Sequence, residues 1–554
     1  MNKMLLRLTL PTLFIACALA GTVSPDFKVT NPQAPVKVMI QLNTPPTAGD
    51  LSTVQGNWGT INRMFHHFPK MIELTLPRGM VKPQASLPFV KYVTPVRMVA
   101  RHLDLTTATT GSMLANQAGL TGQGIGVAVI DSGIDTTNAD LAGRVVYSED
   151  FTGEGIPHDL YGHGTHVAGI VGSSGANSNG RYHGIAPGVN LINLRVLDET
   201  GAGQDAGIIA AIDRAIELQS TYNIRVINLS VGRPIYESFY LDPLCQAVEA
   251  AWQAGITVVV AAGNEGRDNY SVSGGYATIT SPGNDPYVIT VGAMKSEGTP
   301  VRSDDLIASY SSKGPTLLDH FVKPDIVAPG NAITSLRVPG STLDMAFPGN
   351  QVLPSVYGGP EGSAPVYFRL NGTSMATPAV SGAAAILLQQ YPTLTPDQIK
   401  ARLMLTASKT FPASSVVTDS TGSYTSYYDA FTVGAGYLDI GAAMNNMTLA
   451  NGSAISPVAV YDQSSGAISM VNADQIVWGD QIVWGDQIVW GDQIVWGDQT
   501  VWGDQIVWGD GIWTAATSAV TSNDGSAMNA IWNKNATFAA STPAAESTRT
   551  IGVK

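Results

Sequence analysis

GVAVID, residues 126–131, is a nearly continuous apolar and β-branched run that ends on a carboxylate. A strand with one face in water alternates apolar and polar residues, whereas a run that is apolar throughout suits a strand covered on both faces. Four more such runs follow: NLINLRVL (190–197), RVINLS (225–230), GITVVVAAG (255–263) and PYVITVGA (286–293). Between them lie helix candidates. In GQDAGIIAAIDRAIELQS (203–220), Ile208, Ile209, Ile212 and Ile216 recur at helical spacing, and LDPLCQAVEAAWQAG (241–255) is a second. Strand and helix in alternation predict an α/β layered domain with a mostly parallel central sheet, running from Gly122 to about Met444. Such sheets build their sites beyond the carboxyl ends of the strands.

Four polar residues stand at ends of this kind. Asp131 closes GVAVID and leads into Ser132 and Gly133. His163 lies between two glycines in YGHGTHVAGIVG (161–172), at the predicted start of a small-residue helix. Asn264 follows GITVVVAAG, and Ser374 opens the helix of LNGTSMATPAVSGAAAILLQQYP (370–392). Taken singly, these are a turn former, a structural histidine, a turn residue and a helix cap. His163 and His166 also have an HxxH spacing that can ligate zinc, but no acidic or cysteine ligands accompany them. Taken together, the four are chemically complementary. A serine hydroxyl needs a neighbouring base to become a nucleophile, and histidine is the natural one. A buried carboxylate on the other ring nitrogen fixes the tautomer and stabilises the imidazolium. The Asn264 amide and the Ser374 backbone N–H, at a helix N-terminus, are donors for an oxyanion.

The order Asp131, His163, Asn264, Ser374, set in DSGID, GHGTHVAG, AAGNEG and NGTSMATP, closely resembles the subtilases, the subtilisin-like serine proteases. That family shares the chain order Asp, His, Ser. GIAPGVNLINLRVLD, VINLSVG, SPGNDPYVITVGA and SSKGPTLLDHFVKPDIVAPG are similar to segments of its bacterial members. The resemblance implies a serine endopeptidase that acts on protein or peptide substrates and needs no cofactor for its chemistry. It further implies that Ser230, Val231 and Gly232 pair with an extended substrate as an added strand, and that Ala262 and Gly263 line the opposite wall of the pocket for the residue before the cut.

Two stretches depart from the family pattern. The span between Gly330 and Asn371, including GNQVLPSVYGGPEGSAPVYF (349–368), is longer than in compact members and predicts a surface loop near the substrate cleft. The loop after the His163 helix, SSGANSNGRYHG (173–184), differs from the form that binds a strong calcium ion in some relatives. It offers oxygen ligands but no carboxylate, so a structural calcium is not assigned and no residue is named as a metal ligand.

The whole chain sets the context. Its 554 residues exceed one ordinary core and predict two folded units with appendages. A net charge of −13, with no clustered Lys or Arg, argues against nucleic acid as a partner. Residues 1–20 place Lys3 and Arg7 before a short apolar run that ends Ala18-Leu19-Ala20, which reads as a secretory signal peptide and predicts a secreted, extracellular or cell-surface protein. Its removal takes Cys17 and leaves Cys245 alone, so an intramolecular disulfide is excluded. Residues 21–105 form a small α+β unit at the place of the family's inhibitory, folding-assisting propeptide, itself a partner of the enzyme. VKVMIQL (36–42), KMIELTL (70–76) and VKYVTPV (90–96) read as strands and DLSTVQGNWGTINRMF (50–65) as a helix. The unit leads into a protease-accessible linker at LDLTTATTGS (103–112). The peptidase domain then spans 106–447 and a β-prone tail 448–554.

Within that tail, residues 474–510 repeat DQIVWG six times with one Ile-to-Thr change at Thr500. Six residues drift around a helix, and each copy carries a glycine, so extended structure is favoured, with Asp, Ile and Trp on one face. Three readings stay open: a β-solenoid or hairpin stack, an aromatic ladder that binds polysaccharide or the cell surface, and a recently multiplied linker.

Overall fold

The computed structural model describes residues 21–24, 27, 31–56, 58–65, 69–95, 105–268, 273–360, 362–462, 467–471, 476–478, 482–484, 501–502 and 505–506. The predicted leader and most of the hexapeptide repeat lie outside these residues. The chain divides into two compact units, Met1–Arg101 and His102–Lys554.

The first unit contains β1 Thr22–Val23, β2 Pro35–Leu42, α1 Ala48–Gly56, β3 Thr60–Met64, β4 Met71–Pro77, α2 Val81–Ala85 and β5 Val90–Pro95. Its sheet runs β1-β5-β2-β4-β3, antiparallel except for β1 against β5. On β4, Ile72, Leu74 and Leu76 are buried while their neighbours are partly exposed, so one face of the sheet carries the core. Val54 of α1 and Val81 and Ala85 of α2 complete it. The helix predicted over 50–65 is corrected here: it ends at Gly56 and residues 60–64 are an edge strand. The chain turns between them, with Trp58 at φ 65° and Gly59 so close to Val54 that a Cβ would lie 2.7 Å from its carbonyl oxygen.

The second unit opens with α3 Leu105–Thr110 and α4 Ser112–Gln117. This corrects the predicted linker: Thr106, Thr107, Thr109 and Thr110 are buried, because their hydroxyls and methyls pack in a helix and are not strung along a tether. The central layer follows: β6 Gly126–Asp131, β7 Val145–Asp150, α5 His163–Gly172, β8 Asn190–Arg195, α6 Asp205–Glu217, α7 Gln219–Tyr222, β9 Ile224–Leu229, α8 Pro243–Gln253, β10 Thr257–Ala261, β11 Ile289–Lys295, β12 Leu306–Ile307 and β13 Ile326–Pro329. These strands form an eight-stranded sheet ordered β12-β11-β10-β9-β6-β8-β7, with β13 also on β11; only β12 is antiparallel. Every residue of β6 and β10 is buried, as the continuous apolar runs require. Asp131 pairs with Arg195, Ile130 with Leu229, and Leu229 with Val260, so β6, β8, β9 and β10 finish along one edge of the sheet.

Next come β14 Ile333–Leu336, α9 Thr342–Ala346, β15 Gln351–Val352, α10 Pro354–Tyr357, β16 Tyr367–Leu370, α11 Thr373–Gln390 and α12 Pro396–Thr406. The predicted surface loop is thus a structured insertion. β14, β16 and β15 form their own antiparallel sheet, with Tyr357, Tyr367 and Phe368 buried. Helix α11 is buried from Thr373 to Leu388, which explains its run of small residues: a Cβ on Gly382 would lie 2.6 Å from Ile185 Cβ.

The packing continues past residue 447. One hairpin, β17 Ser414–Asp419 with β18 Gly422–Tyr427, precedes that point, and a second, β20 Val458–Asp462 with β21 Ala467–Val471, comes after it, following β19 Ala450–Asn451. Val322 N–H donates to Pro457 O and Ala459 N–H to His320 O, and Ala459, Ile468 and Met470 are buried. Of the repeat, Ile476–Trp478 and Ile482–Trp484 are short strands paired antiparallel. No helix among the described residues is long and apolar enough to cross a membrane.

Candidate active site

Asp131 ends β6, and its turn meets the first residues of α5. Asp131 Oδ1 accepts from Ser132 N–H at 2.7 Å and lies 2.7 Å from His163 Nδ1. A carboxylate accepts only, so Nδ1 carries the ring proton and Nε2 is left with its lone pair. Both side chains are nearly buried, at 1% and 5% exposure, which strengthens the contact. Such an approach needs glycine beside the histidine: a Cβ on Gly164 would lie 2.3 Å from Gly133 O and 3.1 Å from Asp131 Cβ.

Ser374 is the second residue of α11, which packs against α5 and is pinned to the ends of β9 and β10. Ser374 Oγ donates to Ser230 O at 3.1 Å, while Ser230 Oγ donates to Ser374 O at 2.9 Å. That carbonyl is available because the residue four places on is Pro378, which has no N–H to close the helical bond. Asn228 Nδ2 donates to Ser230 Oγ at 3.0 Å, and Ser381 Oγ, about two helical turns after Ser374 on α11, donates to Asn228 Oδ1 at 2.8 Å.

Asn264 follows β10. Its Oδ1 accepts from Thr373 N–H at 2.9 Å, which fixes the amide and turns Nδ2 the other way. An atom at the missing Cβ of Gly372 would lie 3.6 Å from Ser374 N and 3.7 Å from Asn264 Nδ2. The two nitrogens named from the sequence thus lie beside one small space. Glu265 Oε2 accepts from Asn264 N–H at 2.7 Å and holds this corner.

The proposed pocket walls also face each other. A Cβ on Gly232 would lie 2.6 Å from Thr280 Oγ1, and one on Gly263 would lie 2.9 Å from Thr280 Cγ2. Thr280 N–H donates to Ala262 O at 3.1 Å. Thr280 thus stands between the walls formed by Ser230, Val231 and Gly232 on one side and Ala262 and Gly263 on the other. The sequence reading missed it, because nothing local in TITSPG distinguishes this threonine from a turn residue.

Asp159 was missed as well. It is fully buried; Oδ1 accepts from Ser132 Oγ at 2.8 Å and Gly162 N–H at 2.6 Å, and Oδ2 from Thr165 N–H at 2.8 Å. Ser132 Oγ in turn accepts from Gly164 N–H at 2.8 Å. The free amides at the start of α5 are thereby satisfied by the Asp131 turn, which couples the two halves of the pair. Burial pushes the Asp159 carboxyl up, and these hydrogen bonds oppose that. An aspartate placed just ahead of a helix start was the available signal.

His166 is structural. Its Nε2 lies 3.2 Å from both Ile333 O and Phe368 O, so it bears the proton, and α5 rests on β14 and β16 through it. Burial and the neighbouring His163 lower its pKa to about 3. A cation in the loop 173–184 does not fit the residues present. Asp140, the carboxylate that faces the loop, is buried and already meets hydrogen-bond donors, with Asn177 N–H at 2.7 Å from Oδ1 and Tyr367 Oη at 2.6 Å from Oδ2.

Comparisons with known proteins agree with this geometry. The profile of the Subtilase family (Peptidase_S8) matches residues 122–436, more than half of the chain. The chain is similar to serine protease AprX of Bacillus subtilis strain 168, with 44% identity over 306 residues, covering 53% of this chain and 65% of AprX. It is similar to subtilisin E of the same strain, with 38% identity over 290 residues, 52% of this chain and 62% of subtilisin E. To the extracellular serine proteinase of Thermus sp. strain Rt41A it is 37% identical over 289 residues, 52% of this chain and 56% of that protein. The chain spans less than two thirds of the length of each of these relatives. With the family profile matched across the residues that build the sheet edge, the chain belongs to the subtilase family.

Proposed function

We propose that the protein is a secreted serine endopeptidase of broad specificity that cleaves through an acyl-enzyme on Ser374. The observation that carries this reading is that Ser374 N and Asn264 Nδ2 both lie beside the space at Gly372, next to an Asp131–His163 pair whose Nδ1 carries the ring proton. A peptide lies along Ser230, Val231 and Gly232. Ser374 Oγ attacks the carbonyl carbon while His163 Nε2 takes the hydroxyl proton. Asp131 stabilises the imidazolium, and the negative oxygen sits between Asn264 Nδ2 and Ser374 N–H. His163 then protonates the leaving amine, and water, activated by the same nitrogen, releases the acid.

The first unit acts as the propeptide, which inhibits, assists folding and is removed by the enzyme itself; its self-contained core supports this reading. Secretion is supported by the leader sequence and by the relative named as extracellular. A narrower, processing role has one observation in its favour, Thr280 between the pocket walls.

The test is direct. Wild-type protein hydrolyses casein and is labelled by a fluorophosphonate, and both are lost in Ser374→Ala, which also accumulates the uncleaved precursor. Labelling of the Ser374→Ala protein at wild-type level sinks the assignment of the nucleophile, and maturation at the normal rate sinks self-processing alone. Profiling with a peptide library separates broad from narrow cleavage.

A further inference from the structure

The loop 173–184, which some subtilases use to hold calcium, is closed here by other means. Calcium needs six to eight oxygens whose lone pairs converge. At Asp140 the surrounding groups present hydrogens instead: Asn177 N–H on Oδ1, and Tyr367 Oη and Ser173 Oγ at 2.6 and 3.3 Å from Oδ2. Several main-chain oxygens accept hydrogen bonds as well. Gly175 O accepts from Ser178 N–H and Gly180 N–H, Ser178 O from Arg181 N–H, and Asp140 O from Ser174 N–H. Among the described residues no three His, Cys, Asp or Glu gather where a metal could sit.

Tyr367 comes from β16 of the long insertion, 227 residues after Asp140. We propose that this insertion replaces a structural cation: the Tyr367 hydroxyl, seated on Asp140 and Ser178, pins the loop 173–184 and the end of α5, so that this part of the fold is held without calcium. Tyr367 Oη lies 2.8 Å from Ser178 Oγ, and its ring packs edge-on against Tyr182 of the loop at 4.8 Å and Tyr357 of the insertion at 4.9 Å. A phenol has one proton, and the carboxylate is the stronger acceptor, so the short contact to Asp140 takes it. Burial and that carboxylate push the phenol's pKa up, which keeps it a donor. A cationic side chain is likewise enclosed by oxygens on α12. Lys400 Nζ is ringed by Pro286 O, Tyr287 O, Val288 O, Ser456 Oγ and Asp325 Oδ1 at 2.8 to 3.2 Å, an oxygen cage filled by the chain's own ammonium.

The experiment uses the full chain with Ser374→Ala, to exclude self-digestion, and follows thermal unfolding by circular dichroism, so its outcome does not depend on the proposed function. The expected result is one Tm in excess EDTA and in calcium chloride. Tyr367→Phe in that background lowers Tm by several degrees in both buffers and opens the loop to trypsin after Arg181. A Tm that falls in EDTA and returns with calcium overturns the proposal, as does a Tyr367→Phe protein with unchanged Tm and unchanged trypsin resistance. The EDTA arm needs no change at Tyr367, so it decides the matter even where that variant does not fold.

Discussion

The site is assembled from residues whose roles are divided between charge, shape and geometry. In the proposed mechanism the Asn264 amide, 3.7 Å from the space beside Gly372, serves the oxyanion of the tetrahedral intermediate and not the ground-state substrate. Asn264→Ala is therefore expected to lower kcat about 10²- to 10³-fold with little change in KM, a magnitude established on a subtilisin and so one from this same family. Equal losses in binding and turnover would show that the amide holds substrate instead. Thr280 lies in contact distance of both Gly232 and Gly263. In the proposed pocket its bulk limits the side chain that can enter before the scissile bond. Thr280→Gly is expected to shift cleavage of a peptide library toward larger residues at that place, and an unchanged profile would remove it from the pocket. Asp131, His163, Asn264 and Ser374 were legible in the sequence because each ends or starts a strongly patterned element. Thr280 and Asp159 were not, since their importance lies in what the fold brings beside them.

At the scale of elements, α5 is held at both ends and along its length. Its first amides go to Ser132 and Asp159, and its buried face rests on β14 and β16 through His166. That histidine gives the helix a pH dependence whose sign can be worked out. Its folded pKa of about 3 lies below the ordinary value of 6.5, so between these values the unfolded chain binds the extra proton and the folded chain does not. The contribution to stability is present above about pH 6.5 and is lost as the pH falls toward 3. In ¹⁵N spectra His166 is expected to remain neutral at pH 5, and its protonation there would contradict burial of an uncharged ring. The parallel strands and most helices could be read from periodicity. The insertion could not, because its short strands and one-turn helices are set by contacts with α5, and neither could β3, where the turn at Trp58 interrupts an apparently helical pattern. The threonine-rich stretch 105–110 failed for the reverse reason: its composition resembles a tether, and only packing makes it a helix.

For the whole molecule, the question is where the folded peptidase ends, since the family profile stops at residue 436 and the sequence pattern suggested 447. Charge buried in the core answers it. Asp325 is fully enclosed between two ammonium groups, Lys323 Nζ at 2.7 Å and Lys400 Nζ at 3.1 Å, and the Lys323 and Lys400 side chains have no exposed surface. Ser456 closes this cluster: its Oγ donates to Asp325 Oδ1 at 2.6 Å and lies 3.0 Å from Lys400 Nζ, while its N–H donates to Pro286 O. Removing the segment that bears it uncovers the cluster and leaves charged groups short of partners, at a cost above the about 1–3 kcal/mol typical of a neutral unsatisfied group. The apolar contacts of Ala459, Ile468 and Met470 are lost with it. A chain truncated after residue 447 is therefore expected to unfold at a distinctly lower temperature, and Ser456→Ala to reproduce part of that loss. A chain truncated after residue 471 keeps the hairpin but discards every copy of DQIVWG, and it is expected to match the full protein in Tm and in casein hydrolysis. Loss of stability in the chain that ends at residue 471 as well would place the structural boundary inside the repeat; equal stability of all three chains would show that the Ser456 seam carries no weight.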